Sequence, residues 1–276
     1  MRFKCVYLEI TNVCNLQCSF CPGTTRPPRF LSPAEFDLLA GRLEGATEYL
    51  YFHLMGEPLL HPALGELLER ARLHGFRVNL TSNGMLLPEA APVLLSAPAL
   101  HRVNLSLQAW EANPVLLPLS DYVNQCADFA ACAAARGVLV SLRLWNGGGA
   151  DAKNTEILSL LHKAFPGSWI KGTHNMTLAP RVFLESAERF DWPDPAAAGT
   201  GTGFCYGLRT HIGVHCDGTV VPCCLDADGS LALGNLFESP LKDILRQPRA
   251  LAIYEGFSRR APVEELCRRC GYAARF

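Results

Sequence analysis

Six short, largely apolar runs alternating with helix-like stretches constrain the fold of this 276-residue chain more than any other feature. The runs are Val6–Ile10, Tyr49–Leu54, Phe76–Thr81, Arg102–Leu107, Val138–Leu144 and Met176–Leu184. Several are nearly continuous in apolar residues, which predicts strands buried on both faces. Between them, Ser32-Pro33-Ala34-Glu35 reads as a capping box with proline at the first helical position, opening a helix that stops near Gly45. Pro62 to His74, closed by Gly75, and the stretches Asp121–Arg136 and Asn154–Phe165 supply further helices. Strand–helix–strand repetition implies right-handed crossovers and a parallel sheet. Six strands are too few to close an eight-stranded barrel, so the expectation is an α/β fold built on a partial, TIM-like (β/α)6 barrel. Its site would lie at the C-terminal ends of the strands.

The pattern changes near residue 190. Trp192 to Gly203 is a linker by composition, rich in Pro, Ala, Gly and Thr. Beyond it, Ile212–His215 and Thr219–Val221 flank Asp217-Gly218, a hairpin signal. A helix over Pro240–Tyr254 and a Cys-x-x-Cys tail follow. The expected division is a barrel over 1–190, a linker over 191–203 and a small C-terminal domain of β-hairpin and helix over 204–276.

Composition narrows the function. A 49% hydrophobic content allows a sizeable core, and a net charge of -1 argues against retention on nucleic acid by bulk charge. No apolar run approaches the length of a membrane span, and Met1-Arg2-Phe3-Lys4 leads into strand-like sequence without a signal core, so a cytoplasmic protein is expected. In such a compartment twelve cysteines point to metal ligands or catalytic groups rather than to disulfides. Most lie towards the two ends of the chain.

Cys14, Cys18 and Cys21 form Cys-x3-Cys-x2-Cys just after the first strand. Three thiolates on one short loop can face a cubane and leave one iron unligated, which suits chemistry rather than electron storage. A three-cysteine zinc site with a fourth ligand elsewhere is the alternative. The spacing, the position after strand one and the aromatic Phe20 resemble the radical S-adenosylmethionine (SAM) superfamily. That resemblance implies a [4Fe–4S] cluster on Cys14, Cys18 and Cys21 that chelates SAM. Reductive cleavage of SAM then yields a 5′-deoxyadenosyl radical, which abstracts a substrate hydrogen.

Later strand ends extend the resemblance. Met55-Gly56-Glu57-Pro58 is similar to the family's Gly-Gly-Glu-Pro motif, implying that backbone groups and Glu57 receive the ammonium of SAM. Ser82-Asn83-Gly84 resembles its Thr-Asn-Gly. Ser106, at the end of the fourth strand, matches a position that contacts SAM's ribose or carboxylate. Arg143 on the fifth strand is a candidate carboxylate partner or half of a structural ion pair.

Cys205 to Cys223 reads Cys-x12-Gly-x4-Cys, and Cys267 with Cys270 closes the chain. This resembles a shortened SPASM motif, the "twitch" form, and implies a second, auxiliary [4Fe–4S] cluster on Cys205, Cys223, Cys267 and Cys270. Cys224 competes with Cys223, because adjacent residues of a strand point to opposite faces. A four-cysteine zinc ribbon is the other reading. Cys216, beside the hairpin, is either a candidate catalytic thiol or a structural cysteine. Cys5, Cys126 and Cys132 read as structural. His53, His61, Trp145, Asn146, Arg209, His211, Asp226 and Asp228 are candidates for lining a cavity, without assigned chemistry.

An auxiliary cluster able to accept an electron suits net two-electron oxidation of a small polar substrate, such as the alcohol of a sugar or cyclitol. Relatives of that kind include an alcohol-to-ketone dehydrogenase of an aminocyclitol. The competing expectation is a maturase of ribosomally made peptides; a non-catalytic iron–sulfur or zinc module is a third. A reducing partner such as flavodoxin or ferredoxin is implied, and neither nucleic acid nor membrane.

Overall fold

The computed structural model describes residues 2–113, 117–194, 196 and 203–275. Its strands and helices run β1 (Cys5–Leu8), α1 (Pro33–Leu43), β2 (Tyr49–Phe52), α2 (Leu64–Leu73), β3 (Arg77–Ser82), α3 (Leu87–Ser96), β4 (Leu100–Ser106), α4 (Leu119–Ala135), β5 (Leu139–Gly147) and α5 (Asn154–Ala164). Then come β6 (Ile170–Lys171), β7 (Met176–Ala179), β8 (Val182–Glu188), β9 (His211–Val214), β10 (Thr219–Val221), β11 (Gly234–Asn235), α6 (Leu241–Ile244), α7 (Pro248–Ser258) and α8 (Glu265–Arg268).

The strands form a single open sheet in the order β11-β10-β9-β1-β2-β3-β4-β5-β8-β7-β6. Its centre, β1-β2-β3-β4-β5-β8, is parallel throughout, giving the expected partial barrel. Helices α1 to α5 contact one another in sequence order. The Ser32–Glu35 capping box opens α1 as expected: Glu35 N donates to Ser32 Oγ and Ser32 N donates to Glu35 Oε2 (2.9 Å).

Three elements depart from expectation. Met176–Leu184 is not one strand but the hairpin β7–β8, turning at Pro180-Arg181, where Arg181 takes a φ of 66°. The sixth parallel strand is therefore β8. Pro240–Tyr254 is two helices, α6 and α7, because Pro248 cannot continue a helix through its missing N–H. Helix α3 was hidden by Pro88 and Pro92, the second of which sits inside it.

The strands also alternate where continuous burial was expected. Val6, Leu8, Leu50 and Phe52 are buried in the hydrophobic core, while Tyr7 and Tyr51 between them line the barrel interior. The interior is polar: Asn104 donates to Thr81 Oγ1 (3.1 Å), and Ser141 donates to Glu185 (2.8 Å). The C-terminal segment joins the same sheet, since β9 pairs in parallel with β1 over Cys5↔His211 to Leu8↔Val214. Of the 191–203 linker, residues 195 and 197–202 lie outside the described residues.

Candidate active site

The chain between β1 and α1 forms a closed loop. Its neck is tied by Leu31 N to Ile10 O (2.8 Å) and Thr11 Oγ1 to Arg29 O (2.8 Å). Asn12 clasps the neck again, donating to Pro27 O (2.9 Å) and accepting from Arg29 N (2.7 Å). On this loop Cys14 and Cys21 are exposed and Cys18 is half-buried. Asn113, beyond β4, fixes the loop from outside: its amide donates to Cys18 Sγ (3.1 Å) and accepts from Gln17 N (2.9 Å). Sequence reading missed Asn113, which lies 95 residues from Cys18 in no recognisable motif. Burial of the sulfur pushes the Cys14 thiol up to about 11 and raises Cys18 and Cys21, so metal binding must drive proton release.

The Gly-Glu-Pro turn locks onto this loop. Gly56 has a φ of 77°, and a Cβ there would stand 2.4 Å from Thr11 O, so only glycine fits. Glu57 N donates to Val13 O (2.8 Å), one residue before Cys14. The Glu57 carboxylate is buried and accepts from Leu59 N (3.0 Å) and Asn83 N (2.8 Å), joining the turns after β2 and β3. Burial nonetheless pushes its carboxyl up to about 7. Ser82 accepts from Gly84 N (2.9 Å), and Asn83 donates to Asn15 on the cysteine loop (2.8 Å). Three strand ends and the loop thus form one hydrogen-bonded body.

A cavity of about 510 Å³ opens beside it. Phe20 and Ser106 line it on the loop side, with Tyr7, Tyr51, His53 and Arg143 on the strands. Tyr7 meets His53 and His211 edge-on, at 5.1 and 5.6 Å between ring centroids. Burial holds His53 down at about 3 and His211 at about 4, so both imidazoles are neutral at pH 7. Arg143 Nε binds Glu185 Oε2 (3.0 Å) and its guanidinium lies over the Trp145 ring (4.3 Å), so the ion-pair alternative describes its contact here.

Cys205, Cys223, Cys267 and Cys270 line one compact pocket, walled by Leu225, Leu231 and Phe257. Three of these, Cys205, Cys223 and Cys270, also line the large cavity, so the two spaces adjoin. Cys224 lines only the cavity and is hydrogen-bonded to Tyr7. Among the described residues no three His, Cys, Asp or Glu side chains converge as closely as ligands of a single ion would. Four cysteine thiols on one pocket are the donor set that a [4Fe–4S] cluster takes.

Other candidates fall elsewhere. Cys216 is buried in the core, 1% exposed, and does not line the cavity; burial pushes its thiol up to about 12. Its place is in the core behind the hairpin, away from the cavity lining. His61 binds Leu31 O (2.9 Å), Asn146 binds Asn154, and Arg209 stacks on Phe204 and Tyr254. Asp226 caps Ser230 and Leu231 beside the cysteine pocket, and Asp228 accepts from Thr24 (2.7 Å) and Thr25 N (2.8 Å). Trp145 and His211 do line the cavity. Cys126 is buried in α4 against Tyr122 and Gly84, whereas Cys132 is exposed.

A three-cysteine loop and a four-cysteine pocket, with Phe20 of the first and Cys205, Cys223 and Cys270 of the second lining one cavity, suit an iron–sulfur protein. The radical SAM superfamily model matches residues 8–190, and the SPASM iron–sulfur cluster-binding domain matches residues 205–271. The chain belongs to the radical SAM superfamily. It is accordingly an enzyme with a [4Fe–4S] cluster, SAM and an auxiliary iron–sulfur cluster. Among solved structures, BtrN in complex with AdoMet and 2-DOIA matches 98% of this chain and 93% of its own, with a TM-score of 0.63 at 16% identity. Streptococcus suis SuiB bound to S-adenosylmethionine matches 90% and 67%, with a TM-score of 0.62 at 16% identity. Native anSMEcpe with bound AdoMet and the Kp18Cys peptide matches 97% and 86%, with a TM-score of 0.64 at 16% identity. These likenesses concern the fold. A tungsten-containing aldehyde ferredoxin oxidoreductase cofactor-modifying protein of Pyrococcus furiosus is 31% identical over 91 residues, 31% of this chain and 25% of its own. A probable GTP 3′,8-cyclase of Methanocaldococcus jannaschii is 34% identical over 122 residues, 42% and 39%. The chain thus spans about a quarter to two fifths of the curated relatives it matches. Among the described residues no helix is long and apolar enough to cross a membrane.

Proposed function

We propose that the enzyme oxidises a small polar substrate by two electrons, turning an alcohol such as that of a sugar or cyclitol into a carbonyl. The cavity carries this reading. At about 510 Å³ it falls within the range of small-molecule sites, and it runs from Phe20 and Ser106 to Cys205, Cys223 and Cys270. Cys14, Cys18 and Cys21 would hold the first cluster, and Cys205, Cys223, Cys267 and Cys270 the auxiliary one.

When bound, the first cluster and SAM would supply a 5′-deoxyadenosyl radical able to take one hydrogen atom from the substrate, and the auxiliary cluster would supply an acceptor for the second electron, the remaining hydroxyl proton leaving to solvent. The chain's own residues position the reactants. The Gly56–Glu57 turn and Ser82-Asn83 offer backbone and side-chain groups to the amino-acid part of SAM, while Phe20 and Ser106 offer a wall to its nucleoside. Neutral His53 and His211 can accept hydrogen bonds from substrate hydroxyls. Aromatic Tyr7, Tyr51 and Trp145 exclude water around them. A flavodoxin- or ferredoxin-like reductant and a reducing, cytoplasmic setting suit exposed Cys14 and Cys21.

A peptide maturase is the second reading, favoured by the likeness to anSMEcpe with a bound peptide. Anaerobic incubation of the reconstituted protein with SAM and a reductant tests the chemistry. 5′-Deoxyadenosine is expected, and its absence under every condition overturns the proposal. Product analysis then separates the readings, since a carbonyl two mass units below its parent alcohol is the expected outcome.

A further inference from the structure

Inside the barrel two guanidinium groups share one carboxylate. Arg102 Nη1 lies 3.4 Å from Glu185 Oε1, and Arg143 Nε lies 3.0 Å from Glu185 Oε2. The three side chains are only 29%, 14% and 18% exposed. Arg102 also donates to Ser141 Oγ (3.0 Å). Arg143 is the one that reaches the cavity, and its two Nη atoms have no partner among the described residues. Among the described residues no aspartate or glutamate lines that cavity. Two cations against one anion leave a positive charge uncompensated in a semi-buried site, and such a charge is costly until it is paired. The free edge of a guanidinium presents parallel N–H groups that match the two oxygens of a carboxylate or phosphate.

The surroundings favour substrate over cofactor. Arg143 acts electrostatically on His53, Tyr51 and Tyr7, which line the same cavity. The same space is lined by His53 and Gln108, whose Nδ1 and Oε1 are buried without a hydrogen-bond partner. Buried polar atoms of this kind are normally satisfied by a ligand or by ordered water.

We propose that Arg143 forms an anion subsite in the substrate part of the cavity, taking a carboxylate or phosphate carried by the substrate. This rests on the reading that the cavity binds a small polar substrate, and it narrows that substrate to an anionic one. A cationic amino sugar finds no acidic partner among the described residues of these walls.

The test compares three hexoses that differ in charge. Holoenzyme with both clusters, saturated with SAM, is titrated calorimetrically with glucose 6-phosphate, glucose and glucosamine. Glucose 6-phosphate should bind at least about ten-fold more tightly than glucosamine. The preference should vanish in Arg143→Gln and in Arg143→Gln/Glu185→Gln, which removes one charge of each sign and guards against an unpaired carboxylate. Equal affinities, a preference for glucosamine, or no measurable binding of glucose 6-phosphate overturns the subsite. So does a fall in SAM affinity in Arg143→Gln with the sugar preference intact, which would give the guanidinium to SAM's own carboxylate. Failure of the oxidation reading looks different: the charge preference persists, but no carbonyl product forms from any anionic alcohol.

Discussion

Glu9 and Arg26 form a doubly hydrogen-bonded ion pair, Nη1 to Oε1 at 2.8 Å and Nη2 to Oε2 at 2.7 Å, around a carboxylate with no solvent exposure. The same carboxylate accepts from Met55 N (3.2 Å), beside the Gly-Glu-Pro turn, and from Cys216 N (3.2 Å), in the C-terminal hairpin. Arg26 donates onward to Ala227 O (2.9 Å), close behind Cys223 and Cys224. One buried pair therefore ties β1, the cysteine loop, the Gly-Glu-Pro turn and the C-terminal segment together. Removing one partner of a buried pair costs about 3–5 kcal/mol. Glu9→Ala should lower the urea midpoint accordingly, and a change under about 1 kcal/mol would refute this role.

Gly56→Ala is expected to break the docking of the cysteine loop. Its Cβ would stand 2.4 Å from Thr11 O and 2.9 Å from Asn12 Cα, both backbone atoms that cannot yield cheaply, at a positive φ. Iron per chain should fall from about eight towards about four, through loss of the first cluster alone. Unchanged iron content would show that the loop closes without this contact.

Glu57 should make stability depend on pH. Its folded carboxyl is raised by burial from the usual 4.5 to about 7, so between those values the folded state binds more protons than the unfolded one. Stability must then decrease as pH rises through that window and level off above it. Glu57→Gln should flatten this part of the profile, measured as urea midpoint against pH. A slope that survives the substitution would assign it to another group.

Cys223 and Cys224 should separate cleanly. Cys223 faces both the cysteine pocket and the cavity, whereas Cys224 faces the cavity alone and bonds Tyr7. Cys223→Ala should remove about half the iron, and Cys224→Ala almost none. The reverse pattern would exchange the ligand assignment.

Much of this was legible in the chain itself. The Cys14-x3-Cys18-x2-Cys21 spacing, the capping box at Ser32–Glu35 and the Asp217-Gly218 hairpin are local patterns, set by side chains a few residues apart. The parallel sheet followed from strand–helix repetition and the handedness of crossovers. Local signals failed where proline obscured them, at α3 and between α6 and α7. They also failed where a left-handed residue, Arg181, turned one apolar run into two strands.

Tertiary structure decided what depends on partners distant in sequence. Asn113 holds Cys18 from 95 residues away, and Glu9 meets Cys216 across 207. Hydrogen-bond complementarity between such segments leaves no periodic trace in either one. Burial acted likewise: Cys216 and Cys224 look equivalent as sequence, yet one is in the core and the other lines the cavity. The sequence by itself determined which thiols could act together and on what kind of sheet. Only the packed chain decided which of them share a space, because desolvation and contact are properties of the surroundings rather than of the residue.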